Sequence, residues 1–310
     1  MPDIVIAFFA LGLLAGLLKS DLTVPPSIYE TLTILLMLTL GIKGGLALHS
    51  DGASVQPLNL LVIALFGAVL PLALYPLLRR VVRLSQADSV SVAAHYGSVS
   101  AGTFAVVLAL VHLSGMPLLP ETTLYLVFLE LPAIVVMLYL YNHLQPGKKM
   151  GSRVWHEALT NRGVLLLIGG LVIGWLYGPD GMEELTPALL GGFKTFLALF
   201  LLEMGICTAK VCMPLPLRHW RLLLFAGLAP FALAWVGIVL ALLLGLPAGS
   251  ALVLAALAAS ASYIAAPAAM RTAIPEANTG LSMLAALGVT FPINVMIGIP
   301  LYQKWVELVL

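Results

Sequence analysis

Residues 58–78 read LNLLVIALFGAVLPLALYPLL, twenty-one consecutive positions without a charge, and Arg79-Arg80 follows at once. A helix that spans a bilayer needs about 20 mostly apolar residues, so this stretch reads as one crossing that ends at a basic membrane face. The same signal recurs almost from end to end. Of 310 residues, 61% are hydrophobic and 9% charged, against roughly 45–50% apolar and about 25% charged in an ordinary soluble domain. So little polar surface predicts an all-α polytopic membrane protein whose surroundings are the lipid bilayer.

Working outward from 58–78, apolar runs and turn punctuation place ten transmembrane helices near 4–19, 28–48, 58–78, 89–113, 121–143, 162–178, 187–210, 219–245, 249–273 and 278–306. The opening quotation has a counterpart in the second half. Leu65-Phe66 with Pro71-Leu-Ala73-Leu74 answers Leu224-Phe225 with Pro230-Phe-Ala232-Leu233 at an offset of 159. Gly12 and Gly16 answer Gly170 and Gly174 at 158, and Gly41-Ile42 answers Gly205-Ile206 at 164. Ser98-Val-Ser100 answers Ser260-Ala-Ser262 at 162, and Pro132 answers Pro292 at 160. Five ordered matches point to a duplication. Residues 1–144 form the first repeat, 145–161 a short polar linker and 162–310 the second repeat. Five helices is an odd number, so the second repeat enters from the opposite side, an arrangement typical of secondary transporters.

The charges provide an independent check. Lys19, Arg79, Arg80, Arg83, Lys148, Lys149, Arg153, Arg162, Lys210, Arg218, Arg221 and Arg271 fall on alternate loops, 12 of the 15 basic residues. Lys194 and Lys304 fall on the other face, with Lys43 inside a helix. The positive-inside rule makes the first face cytoplasmic and puts both termini outside, as expected of a multi-pass inner (plasma) membrane protein. The N-terminus has no basic region before its apolar run, and it reads as a retained helix rather than a cleaved signal.

Other classes fall away. A net charge of +1 with no basic, aromatic-interleaved run gives no sign of a nucleic-acid partner. No H-E-x-x-H, no G-x-S-x-G and no acidic cluster with ligand spacing is present, so neither an enzyme nor a resident metal is expected. Cys207 and Cys212, near the end of one apolar run, read as packing thiols rather than a disulfide or half a metal site.

Inverted-repeat carriers bind substrate near the midplane, where helices break and free backbone N–H groups face an anion. Two breaker-rich segments fit. The first is His95-Tyr-Gly97-Ser98-Val-Ser100-Ala-Gly102-Thr103 in the fourth helix. The second is Ser260-Ala-Ser262-Tyr263-Ile-Ala-Ala-Pro267 in the ninth. These two helices are expected to be broken and to cross at the midplane, with Gly97, Ser98, Ser100, Thr103, Ser260, Ser262 and Tyr263 as substrate groups. The competing reading is close helix packing by small residues.

Charges inside a membrane are functional candidates by default. Lys43 is a fixed cation for charge compensation, or else it snorkels to the surface. Glu130, beside Pro132, ligates a cation, relays a proton, or pairs with Lys43, and Glu203 is similar. Thr39, Thr290 and Asn294 are further lining candidates for an ion. His112 and His143, near helix ends, read as interfacial.

Through Gly41-Ile-Lys43-Gly44-Gly45, Gly97-Ser98-Val-Ser100, Leu131-Pro132-Ala133, Ser260-Ala-Ser262 and Arg271-Thr-Ala-Ile-Pro275-Glu-Ala-Asn278, the chain resembles the sodium-dependent bicarbonate transporter family of cyanobacterial type. The resemblance implies a five-plus-five carrier, commonly a homotrimer, that moves bicarbonate in an elevator-like cycle. It places the anion between the broken helices at Ser98, Ser100, Ser260 and Ser262, with Na+ as the coupled ion. Three positions depart from the family pattern. Tyr263 stands where an aspartate is usual, Glu130-Leu-Pro132 replaces Asp-Ile-Pro, and Lys43 replaces a threonine. Glu130 keeps a carboxylate, while the carboxylate lost at Tyr263 and the cation gained at Lys43 together predict weakened or lost sodium coupling. The short segment 145–161 replaces a large cytoplasmic loop, which leaves little for a regulatory partner to dock on. The alternatives are an organic-anion or bile-acid-type symporter and, in a different class, a membrane sensor.

Overall fold

The computed structural model describes residues 4–51, 55–144, 162–212 and 217–310, and every regular element in them is helical. The predicted linker 145–161 lies outside the described residues. In chain order the elements are α1 (Ile4–Leu17), α2 (Pro26–Asp51), α3 (Pro57–Leu77), α4 (Gln86–Gly97), α5 (Ala101–Ser114), α6 (Tyr125–Leu144) and α7 (Arg162–Gly181). There follow α8 (Thr186–Cys212), α9 (Trp220–Leu243), α10 (Ala248–Ala258), α11 (Ala265–Ala273) and α12 (Thr279–Val309).

Local chemistry sets these boundaries. Proline at the first position opens α2 and α3, where its missing N–H costs nothing. The Ser85 hydroxyl accepts from the Asp88 N–H at 3.0 Å to cap α4, and the Ser100 hydroxyl accepts from the Thr103 N–H at 3.0 Å to cap α5. Gly178, at φ 62° and ψ −173°, bends α7 ahead of Pro179. In α12, two wide-turn segments flank Phe291-Pro292-Ile293. Pro292 has no N–H to give the Gly288 carbonyl one turn earlier. The Cys212 thiol donates to that oxygen at 3.2 Å instead.

Among the described residues, seven helical spans are long and apolar enough to cross a membrane, including the whole of Gln86–Ser114 across its break. The remaining predicted crossings correspond to α1, to the bent α7, and to α10 with α11, which are separated by six non-helical residues. Polarity is distributed as lipid requires. Leu58, Leu61, Leu65 and Val69, along one face of α3, are exposed, while Ser89, Ser91, His95 and Ser98 are completely buried.

Two long helix crossings organise the bundle. α1 lies along α8, and α2 lies along α7. A side chain at Gly12 would run into the Leu202 carbonyl, and one at Gly170 into the Leu38 carbonyl. Gly12 and Gly170 are 158 apart, and Leu38 and Leu202 are 164 apart. These are the offsets that relate the two halves in the sequence, so the two crossings are built from equivalent residues.

Candidate functional site

The segments between α4 and α5 and between α10 and α11 meet inside the protein and are stitched together. The Ser262 N–H is shared between the His95 carbonyl at 2.7 Å and the Ser98 carbonyl at 3.0 Å. In return the Ser100 N–H donates to the Ser260 hydroxyl at 2.9 Å. That hydroxyl donates to the Leu257 carbonyl at 2.8 Å, and the Ser262 hydroxyl accepts from the Ala266 N–H at 3.2 Å. Breaks in two helices thus supply each other's lost partners, as buried backbone demands.

The hydroxyls divide into two groups. Those of Ser100, Ser260 and Ser262 are engaged in capping and stitching. Those of Ser98 and Thr103 are buried with no hydrogen-bond partner, as is Nε2 of His95. His95 Nδ1 lies 2.7 Å from the Ser91 carbonyl, and a carbonyl only accepts, so Nδ1 carries a proton. Orphaned buried polar atoms are rare because each costs about 1–3 kcal/mol. Four of them, on Ser89, His95, Ser98 and Thr103, lie along the one broken span Gln86–Ser114. Gly97 packs on the Pro71 ring, where no larger residue fits, and it brings α3 against the break.

Tyr263 enters the same place from the other half. Its hydroxyl lies against Gly102 in the first turn of α5, and its ring meets Phe291 edge-on at 5.2 Å between centroids. A cavity of about 220 Å³ joins Tyr263 to Glu203, Tyr29 and Cys207. The Cys207 thiol donates to one oxygen of Glu203 at 3.2 Å, while Oε2 is buried without a partner. Cys207 and Cys212 are free thiols, each donating to an oxygen of its surroundings.

The other sequence candidates separate. Thr290 donates to the Ala226 carbonyl at 2.9 Å and lies 2.6 Å from the Tyr96 hydroxyl. Asn294 donates to the Ala259 carbonyl at 2.8 Å, at the end of α10, and accepts from Tyr302 at 2.8 Å. Asn294 thus braces the crossover directly, and Thr290 ties α12 to α4 and α9. Thr39 is buried with an unpartnered hydroxyl. By the 164 offset it is the counterpart of Glu203. Lys43 stands elsewhere, with its ammonium 4.4 Å from the centre of the Phe193 ring. It lines a cavity of about 640 Å³ with His112, Lys194 and Thr123, and Glu130 is not part of that lining. Glu130 is buried on α6.

Sequence reasoning passed over Tyr96, which ties α4 to α12, and Glu121, fully buried in the turn before α6 with Oε2 unpartnered. Tyr96 stood inside the quoted His95–Thr103 segment and was readable as part of it. Glu121 follows Pro120 at a helix start, where a carboxylate is ordinary, and nothing in its spacing marked it.

A family model described as the Na+-dependent bicarbonate transporter superfamily matches residues 4–307, nearly the whole chain. The chain belongs to that superfamily. No curated protein matches it. Membership in a bicarbonate transporter superfamily fits a crossover that is rich in hydroxyls and free of arginine.

Proposed function

We propose that this protein is a secondary carrier of bicarbonate, built as ten crossings in two inverted five-helix repeats with the anion held at the crossover. The observation that carries this reading is the set of orphaned groups at one break: the Ser98 and Thr103 hydroxyls and His95 Nε2. Hydroxyls donate to oxyanion oxygens, and the first turn of α5 presents backbone N–H groups with a positive dipole end. Bicarbonate carries a hydroxyl as well as acceptor oxygens. A neutral His95, protonated on Nδ1, offers Nε2 as its acceptor. Nitrate has no such proton, which gives the pocket a chemical basis for choosing between two anions of similar size.

The inverted repeat is supported by the paired crossings of α1 on α8 and α2 on α7, made by residues at matching offsets. An elevator-like cycle moves the crossover bundle past those crossed helices. The termini lie on the non-cytoplasmic side of the plasma membrane, and three copies assemble as a homotrimer. Sodium coupling is weakened in this chain. Tyr263 replaces a carboxylate at the crossover, and Lys43 places a basic side chain beside the C-terminal half of α5, in the cavity that also holds Lys194.

The test is uptake of labelled bicarbonate into proteoliposomes under imposed sodium, potassium or proton gradients. Uptake that is competed by excess bicarbonate but not by nitrate, and lost in Ser98→Ala, supports the reading. Uptake unaffected by Ser98→Ala and His95→Phe removes the crossover as the site.

A further inference from the structure

The basic face of the molecule carries a groove that the transport reading does not use. It runs between the end of α3 and the first half of α9, holds about 670 Å³, and is lined by apolar side chains with Arg80, Arg83 and Arg221 and no carboxylate. Leu77, Leu224 and Leu228 present exposed apolar surface along it. Trp220 to Leu233 is fourteen residues of α9, about 20 Å end to end at a rise of 1.5 Å per residue. That is close to one leaflet with its headgroup region, half of a bilayer about 40–45 Å thick.

The arginine end is built with some care. Helix α3 closes in a wide turn, Leu78–Val82, a feature found disproportionately at functional sites. Arg83 then takes a left-handed backbone conformation, φ 65°, which a non-glycine residue seldom adopts. Arg79 donates to the Leu84 carbonyl and so is occupied with its own backbone, whereas Arg80 and Arg83 line the groove. From α9, Arg221 lies 5.4 Å from the Trp220 ring centre, an aromatic–cation pair of the kind that anchors at a headgroup boundary.

We infer that this groove binds one anionic phospholipid, with the phosphate held by Arg80, Arg83 and Arg221 and an acyl chain laid along Leu224 and Leu228. Charge complementarity selects the occupant. Guanidinium groups suit a phosphate diester, and an apolar trough one leaflet deep beside them suits a tail. A soluble phosphate uses only the first half of the site. A second copy of this chain would bring its own arginine-rich end to the same membrane level, where like charges repel.

The measurement is lipid retention by the purified full-length protein, read by native mass spectrometry with phosphatidylglycerol or phosphatidylcholine at equal concentration. Wild type should retain one phosphatidylglycerol at least tenfold more strongly than phosphatidylcholine. Arg80→Gln/Arg83→Gln/Arg221→Gln should cut that preference below about twofold. Arg271→Gln, on the same face but outside the groove, should keep it. Leu224→Trp/Leu228→Trp fills the trough from exposed positions with every charge intact, and it should lose the lipid as well. Equal retention by the triple variant or by the tryptophan variant overturns the inference. So does equally tight binding of glycerol 3-phosphate without a tail, or a triple variant that dissociates an oligomer in which no lipid was held.

Discussion

The backbone N–H of Ser100 donates to the side chain of Ser260 across 160 residues of sequence, at 2.9 Å, so each broken helix completes the other. Because that donor is fully enclosed, the bond is more than an ornament of the crossover, and it separates two kinds of serine that look alike in sequence.

Ser260→Ala leaves the Ser100 N–H without its partner, while the Leu257 carbonyl keeps the Ser260 N–H at 3.0 Å. A buried group left unsatisfied costs about 1–3 kcal/mol, so thermal unfolding in detergent should show a clear loss. Ser98→Ala removes a buried hydroxyl that has no partner, so stability should hold or rise, by up to about 1–3 kcal/mol. Its effect should fall on transport. Losing a hydrogen bond to a charged ligand costs about 1.5–3 kcal/mol, so the KM for bicarbonate should rise at least about tenfold. If both variants lose stability equally, Ser98 is structural.

Lys43→Thr removes the only cation on α2. Under the weakened-coupling reading it either makes uptake depend on sodium or abolishes it. Flux measured with sodium replaced by choline decides, and unchanged, sodium-indifferent transport would sink the idea.

Gly12→Ala and Gly170→Ala should be matched in their damage, because each new methyl group meets a backbone carbonyl of the crossing helix. Overpacking of this kind costs roughly 1–3 kcal/mol. Gly169→Ala, one residue from Gly170 but facing open space, should be neutral or should stabilise α7 by up to about 1 kcal/mol through helix propensity. Melting temperatures of the three variants give the comparison.

Asn294→Leu strips partners from the Ala259 carbonyl and the Tyr302 hydroxyl at once. A destabilisation of about 2 kcal/mol or more is expected, with the KM of the surviving folded carrier little changed. A large shift in KM with no loss of stability would instead put Asn294 in contact with the substrate.

Much of this was legible in the sequence, and the gaps have physical causes. The two breaks were visible because glycine and serine inside apolar runs leave backbone groups without partners, and only a crossing segment supplies them. The glycine pairs were read only as a mark of duplication, and the fold is what places them at the close crossings. Which serine faces inward could not be read, since a hydroxyl's direction depends on neighbours 160 residues away. Glu203 was singled out as a charge in an apolar run, but only the fold places it in one cavity with Tyr263. Lys43 was read as a possible partner of Glu130, and the structure gives it the face of Phe193 instead. The wide turns of α12 also escaped, although Pro292 marked the place, because the thiol that answers the Gly288 carbonyl comes from another helix.

The exchange of helices between the halves bears on how the chain reaches its final form. α1 finds its closest neighbour in α8, and α2 finds its own in α7. While the ribosome is still making the second half, the Gly12 and Gly41 faces of the first have nothing to close on. Residues 4–144 are therefore left as an unfinished clasp until α7 and α8 are made and close both crossings. Halves expressed from separate messages, divided within 145–161, should each be degraded alone and rescued when they are made together.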